Sequence, residues 1–159
     1  MRARFFGVVL LAGGCLIASV VQAQQAPAWA GTWKLNLTKS KYSPGPMPKS
    51  SIIKIEAAAG GGLKQTTDQI TASGESRHIE VTAMFDGKDA AVKGNPDVDT
   101  QAYKRVDDRS YEVTGKKNGK VATLTKVTIS ADGKTRTATQ TGTDPQGRAL
   151  NNTIVYDRQ

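Results

Sequence analysis

The chain of 159 residues is short of the side chains that most catalytic and metal chemistry uses. It holds one cysteine, Cys15, and one histidine, His78. One thiol excludes an internal disulfide and any cysteine cluster for a metal. No G-x-S-x-G nucleophile elbow and no D-x-D-x-D-G calcium loop occurs. His78 shares a strand face with Glu80 at i, i+2, so acid–base work is conceivable. With no cysteine or serine motif to serve, the pair reads as an exposed surface pair. Asp97, Asp99, Asp107 and Asp108 fall where turns are expected and read as turn chemistry. No catalytic residue, no metal and no cofactor is therefore expected, and an enzyme is the least supported class.

Bulky apolar residues are scarce as well. From residue 24 onward, Leu, Ile, Val and Phe number 21 in 136, about 15%, a level at which disorder is a live alternative. Regular alternation and evenly recurring turn signals argue against disorder. The low count argues instead against a thick sandwich core and for a sheet whose inner face is partly polar.

The one long hydrophobic run is at the start. Arg2 and Arg4 form a basic n-region, Phe5 to Val21 carries no charge, and Val21-Gln22-Ala23 places small residues where a signal peptidase needs them. Residues 1–23 read as a signal peptide cleaved between Ala23 and Gln24, which predicts a periplasmic or secreted protein. A membrane anchor is the alternative, but ~17 residues is the lower limit for a span. Gly13 and Gly14 dilute the run, and the cleavage pattern follows it directly. Ala12-Gly13-Gly14 before Cys15 partly matches a lipid attachment site. No leucine stands three residues upstream, however, and Leu16-Ile17-Ala18 continues the apolar run, which favours a soluble product.

The formal charge is +8, falling to +6 when Arg2 and Arg4 leave with the leader. A balance of this size favours acidic partners, and an exported chain rarely meets nucleic acid. The basic residues are spread along the strands. Their densest group, Lys116-Lys117-Asn118-Gly119-Lys120, reads as a charged turn.

What is present is a period of two. Residues 24–30 form a tether in which Trp29 is placed to cap one end of the fold or cover the edge of its core. Gly31 to Leu37 then alternates, with Trp33, Leu35 and Leu37 on one face. Three prolines at 44, 46 and 48 exclude helix and central strand, and Tyr42 in that loop is a candidate anchor onto the fold. Further strands are expected at Ser50–Ala57, Leu63–Thr71, up to Phe85, about Ala90–Lys93, Val98–Val106 and Ser110–Gly115. The last three run Lys120–Ser130, Lys134–Thr143 and Arg148–Arg158. Ile79, Val81, Ala83 and Phe85 should face inward in the fourth strand, and Val121, Thr123, Thr125, Val127 and Ile129 should share one face. Thr135, Thr137, Thr139, Thr141 and Thr143 form a row that suits a half-polar sheet face; facing inward it would make a wet cavity wall. Asp86-Gly87 and Asn118-Gly119 are hairpin signals.

About eight to ten strands joined by short turns, with no helical period after the leader, predict an all-β domain over residues 31–159. The simplest closure is one antiparallel up-and-down barrel, with a two-sheet sandwich as the alternative. Such a barrel has no open edges, and the chain is expected to be monomeric, with no stable membrane span once the leader is removed.

Gly31-x-Trp33 at the head of the first strand and Arg158 in the last resemble the calycins, the superfamily of lipocalins and fatty-acid-binding proteins. The resemblance implies that the arginine packs across the indole to close the barrel. The ten-strand count is similar to the fatty-acid-binding branch, but residues 38–48 are proline-rich where that branch has a helical lid. Its last strand also carries Arg-x-Tyr, whereas the order here is Tyr156-x-Arg158. Classical lipocalins usually add a disulfide and a helix after the barrel, and neither is available here. The whole chain after the leader is similar to small exported bacterial lipocalin-like proteins. The matching stretches are GTWKLN with the KSK, PG and P-KS that follow, Phe85-Asp86-Gly87-Lys88, Gly94 to Asp97, and Asn151, Asn152, Val155 and Tyr156 at the end. That likeness implies fold and compartment and brings no activity.

Two functions remain. One is a carrier of a small amphipathic molecule, with Trp33, Tyr103, Tyr156 and Arg158 lining or closing its pocket and Gly31, Trp33 and Arg158 closing the barrel. The other is a cell-envelope module with a filled barrel, whose basic outer face meets anionic lipid or polysaccharide.

Overall fold

Alternation and turn chemistry divide the chain into ten strands in the computed structural model, which describes residues 26–159. The leader, its cleavage point and Cys15 lie outside the described residues. The strands are β1 (Gly31–Leu35), β2 (Ser50–Ala58), β3 (Gly62–Ile70), β4 (Ser76–Ala83) and β5 (Asp86–Lys93). They continue as β6 (Thr100–Arg105), β7 (Ser110–Lys117), β8 (Lys120–Ile129), β9 (Thr135–Thr143) and β10 (Ala149–Arg158). From β2 onward each strand pairs antiparallel with the next. β1 lies between β2 and β10 and closes the ring, with Trp33 opposite both Ile53 and Arg158. The architecture is a closed antiparallel up-and-down barrel, not a sandwich; every strand has two neighbours, and the β4–β5 seam is held by only two residue pairs, Glu80–Lys93 and Val81–Val92.

The connections explain why the chain turns where it does. Asn118 and Gly119 both take positive φ, 50° and 74°, which gives β7–β8 a two-residue hairpin with the right twist. Elsewhere aspartates hold the turns. The Asp107 carboxylate accepts from the Arg109 N–H at 2.8 Å, that of Asp132 from the Lys134 N–H at 3.0 Å, and that of Asp99 from the Asn118 N–H at 2.7 Å.

Inward-facing residues sort by height. At the end where β1 begins and β10 finishes, the interior is dry: Trp33, Ile55, Leu63, Val81, Ala83, Val127 and Ile129 are buried. Trp29, from the tether, lies across that end with its ring 5.3 Å from Phe85, which also meets Tyr103 and Tyr111 edge-on. Each such aromatic pair adds about 0.5–1.5 kcal/mol beyond area burial. A barrel this poor in aliphatic residues therefore concentrates its packing energy in one half.

Three expectations are corrected by local geometry. β1 stops at Leu35, and Leu37 is 45% exposed, because the Asn36 carbonyl side chain accepts from Thr38 and Lys39 and turns the chain away. Val121 is 57% exposed at the mouth of the barrel and takes no part in the core. The β7–β8 register shifts between Gly115 and Lys116, leaving Ala122 as an extra residue that reverses the alternation. β4 ends at Ala83, so Phe85 reaches the core from the turn, and β5 already begins at Asp86. The threonine row of β9 is on the outer face, while Arg136 and Ala138 between its members are buried.

The turn aspartates give the fold an acid limb. Hydrogen bonds from the Ser110 hydroxyl to Asp107, from the Ser130 hydroxyl to Asp132 and from the Asn118 N–H to Asp99 hold these carboxyls below their ordinary range. A depressed folded-state pKa contributes stability above the unfolded value of about 3.9 and loses it as pH falls through the folded value. The urea midpoint should therefore be flat near neutrality and fall below about pH 4. The paired Asp107→Asn, Asp132→Asn variant, which keeps the turn acceptors, should show a shallower fall in the same titration.

Candidate ligand cavity

The dry end is sealed by one side chain. Arg158 lies on the Trp33 indole with its guanidinium carbon 4.2 Å from the ring centroid. Its Nε donates to the Gly133 carbonyl at 2.6 Å, Nη1 to the Ala30 carbonyl at 2.7 Å and Nη2 to the Ala28 carbonyl at 2.5 Å. The Trp33 Nε1–H donates to the Trp29 carbonyl at 3.1 Å. Together these bonds bind the tether, the β8–β9 turn and the last strand over the base of the barrel. Gly31 takes φ 135°, and a Cβ at this position would collide with Arg158 Nη1, so the close approach requires glycine.

The opposite end is open and leads into a cavity of about 840 Å³. Its wall mixes two chemistries. Carboxamides and hydroxyls of Gln65, Gln69, Gln101, Gln140, Asn152 and Ser51 line it, with aliphatic surface from Ile53, Ile79, Val98, Leu150 and Ile154. Some of the amides are already committed. Asn152 donates to the Gln140 side-chain oxygen at 3.0 Å and accepts the Ser43 N–H at 2.9 Å, and Gln101 accepts the Tyr103 hydroxyl at 2.9 Å. The proline-rich loop runs past the mouth and contributes Tyr42, Pro46 and Pro48 to the lining. Lys41 and Thr153 bond each other's backbones and hold the loop to β10. At the rim, Arg77 pairs with Asp97 and Glu75 at 3.3 and 3.4 Å.

Below the cavity the interior carries a charge. Arg136 is only 6% exposed. Its Nη2 donates to the Tyr111 hydroxyl at 3.3 Å, and its guanidinium lies 5.2 Å from the Tyr156 ring centroid. Its Nε–H has no hydrogen-bond partner, and among the described residues no carboxylate pairs with it. Burial pushes the Tyr42, Tyr103 and Tyr156 hydroxyls upward, so they remain protonated donors.

The structure separates the four side chains singled out in the sequence. Tyr156 lines the cavity. Tyr103 is buried behind Gln101 without lining it. Trp33 and Arg158 lie at the sealed end, outside the cavity wall, with the Arg158 guanidinium nitrogens occupied by backbone. Arg136, Gln140 and Gln65 were not singled out. The signal for the first two was present, because a threonine row at odd positions of β9 puts residues 136, 138 and 140 on the other face. His78 is on the outer face, its Nδ1 2.6 Å from Asp68 and its Nε2 3.6 Å from Glu80; the hydrogen bond it donates to the Asp68 carboxylate raises its pKa. Among the described residues no group of three or more His, Cys, Asp or Glu side chains is placed to hold a metal ion. Nor is any helix there long and apolar enough to cross a membrane.

No protein-family model matches the chain, and no curated protein matches its sequence. Among solved structures it is similar to the siderocalin Ex-FABP, which is described as functioning through dual ligand specificities. The likeness covers 83% of this chain and 74% of that one, at 11% identity and a TM-score of 0.38.

The sealed end should dominate stability. Trp33→Ala removes a fully buried indole together with the platform under Arg158, and should cost about 3–5 kcal/mol in urea unfolding. A wild-type unfolding curve would show that the seal is not structural. Arg158→Lys keeps the charge but loses the planar fork, and should also destabilise, by a smaller amount.

Proposed function

We propose that the protein is an exported, non-enzymatic carrier that takes a small amphipathic molecule into the open half of its barrel. The observation that carries this reading is the cavity itself. Some 840 Å³ of space lies within the closed ring of strands, opens at the end opposite the seal, and presents aliphatic surface beside amides and hydroxyls. That combination suits a ligand with an apolar body and a few hydrogen-bonding groups. The wall offers no nucleophile paired with a base, and the single histidine is on the outer face, which supports binding over chemistry. The leader over residues 1–23 and the cleavage pattern before Gln24 support export to the periplasm or beyond.

Native mass spectrometry of the protein purified from its own compartment tests the reading. A discrete added mass that leaves on denaturing extraction is the expected result. A clean apo mass, together with binding to anionic vesicles that collapses at high salt, would favour the envelope module in its place.

A further inference from the structure

We infer that the amides of the cavity wall form a surface of hydrogen-bond donors, fitted to a neutral ligand whose polar groups are carbonyl oxygens spaced along an apolar body. This deepens the carrier reading and rests on it. A carboxamide has two ends, an oxygen that accepts and an amino group with two hydrogens to donate. Which end it turns to a ligand depends on which end the protein has already used.

The order is set by backbone N–H groups, which can only donate. The Ser43 N–H, in the proline-rich loop, reaches the Asn152 side-chain oxygen at 2.9 Å. Asn152 is thereby committed to present its amino group to Gln140, whose oxygen accepts at 3.0 Å. Gln140 is left with its amino group free. The Asp97 N–H fixes Asn95 in the same way at 2.9 Å. The buried Tyr103 hydroxyl gives its one proton to the Gln101 oxygen, also at 2.9 Å. Among the described residues no protein acceptor takes the amino groups of Asn95, Gln101 or Gln140, and all three residues line the cavity. Nor are these nitrogens sealed in protein: the buried nitrogens without a partner belong to Trp29, Arg77 and Arg136. β3 is the exception, since Gln65 makes only a 3.4 Å bond to Thr67 and can turn either end inward.

The free donors do not converge on one point. Gln101 is on β6 and Gln140 on β9, three strand spacings or about 14 Å apart along the wall. Asn95 is in the β5–β6 connection at the mouth. One compact charged group cannot reach them together, whereas several neutral oxygens distributed along an amphipathic body can. The lining carboxylates, Asp97 and Asp144, are at the mouth and pair with Arg77 and Arg148. An N–H group offered by a ligand to Asn95, Gln101 or Gln140 meets donors and stays unpaired, and a site built this way discriminates strongly.

A matched pair of fluorescent compounds separates this inference from the carrier reading. In 6-propionyl-2-(dimethylamino)naphthalene a carbonyl accepts and no N–H or O–H donates; 6-propyl-2-(dimethylamino)naphthalene is the same skeleton without the oxygen. Wild-type protein should bind the ketone at least about fivefold more tightly than the propyl compound, the reverse of their order of hydrophobicity. Gln101→Glu and Gln140→Glu each keep the oxygen that accepts within the wall and exchange the free amino group for a second oxygen. Each should cut the preference by about threefold or more at about pH 8, where the new carboxyl is ionised. Asn152→Asp still accepts from Ser43 but no longer donates, so Gln140 turns its amino group to the new carboxylate and its oxygen to the cavity. The ketone preference should fall as it does in Gln140→Glu, with Gln140 itself unchanged. Affinity for the propyl compound should stay within about threefold of wild type throughout. Gln101→Glu, which lies outside the Ser43 chain, carries the test if the other two variants do not fold. Equal affinity or a wild-type preference for the propyl compound overturns the donor wall and leaves the carrier reading standing, and so does a ketone preference unchanged in every variant. Failure of both compounds to bind overturns the carrier reading with it.

Discussion

A guanidinium laid on an indole, with its nitrogens committed to three backbone carbonyls, fixes the base of this barrel. A cation over an aromatic face contributes about 0.5–2 kcal/mol, the larger figure when water is excluded. Here the indole is fully buried, and the carbonyls come from the tether and the β8–β9 turn. Closing a sheet removes its edges but does not plug its ends. The plug is supplied by segments with almost no regular structure of their own. Arg158 gathers them because it satisfies their carbonyls and its own N–H groups at the same time.

The division of the interior follows from composition. A chain with so few large aliphatic residues cannot fill a ten-strand barrel with apolar packing. It fills one half with Trp29, Trp33, Phe85, Tyr103 and Tyr111 and lines the other half with amides and hydroxyls. The first half supplies most of the stability by removing area from water, at roughly 25 cal/mol per Å². The second half can stay hollow because its polar wall tolerates water. Scarcity of apolar residues and the presence of a cavity are two aspects of one fact.

The barrel and its closing strands were legible because alternation and turn residues are local signals. Asn118-Gly119 carries its own φ requirement, and Trp33 and Leu35 declare a face without reference to anything distant. The errors came where one backbone event outside the pattern resets parity. Ala122 is inserted into the ladder and Val121 loses its place, although nothing in Lys120 to Ile129 marks the bulge. The cavity was hardest to read, since its wall combines residues from eight strands and four loops that share height and not sequence. Trp33 and Arg158 stood out as chemistry-bearing residues at the chain's extremes, yet their capacity is spent at the sealed end. Arg136 was hidden among threonines, visible only by asking which side chains the row left for the inside.

The register at the seam also has a kinetic meaning. Every pairing from β2 to β10 joins neighbours in the chain, so each can form as a local hairpin. The β1–β10 pairing, with the Lys41–Thr153 bridge that follows it, joins residues more than a hundred positions apart. Bringing such distant segments together carries a loop-closure cost of about 4 kcal/mol in the unstructured chain, and most of that is removed once the intervening hairpins have curled the sheet. Ring closure is thereby placed late in folding, after the meander has brought its two margins close. Contacts made late contribute mainly to how slowly the native state opens. The tryptophan–arginine seam therefore acts as a latch on lifetime, governing how long a closed barrel persists more than how quickly one is made.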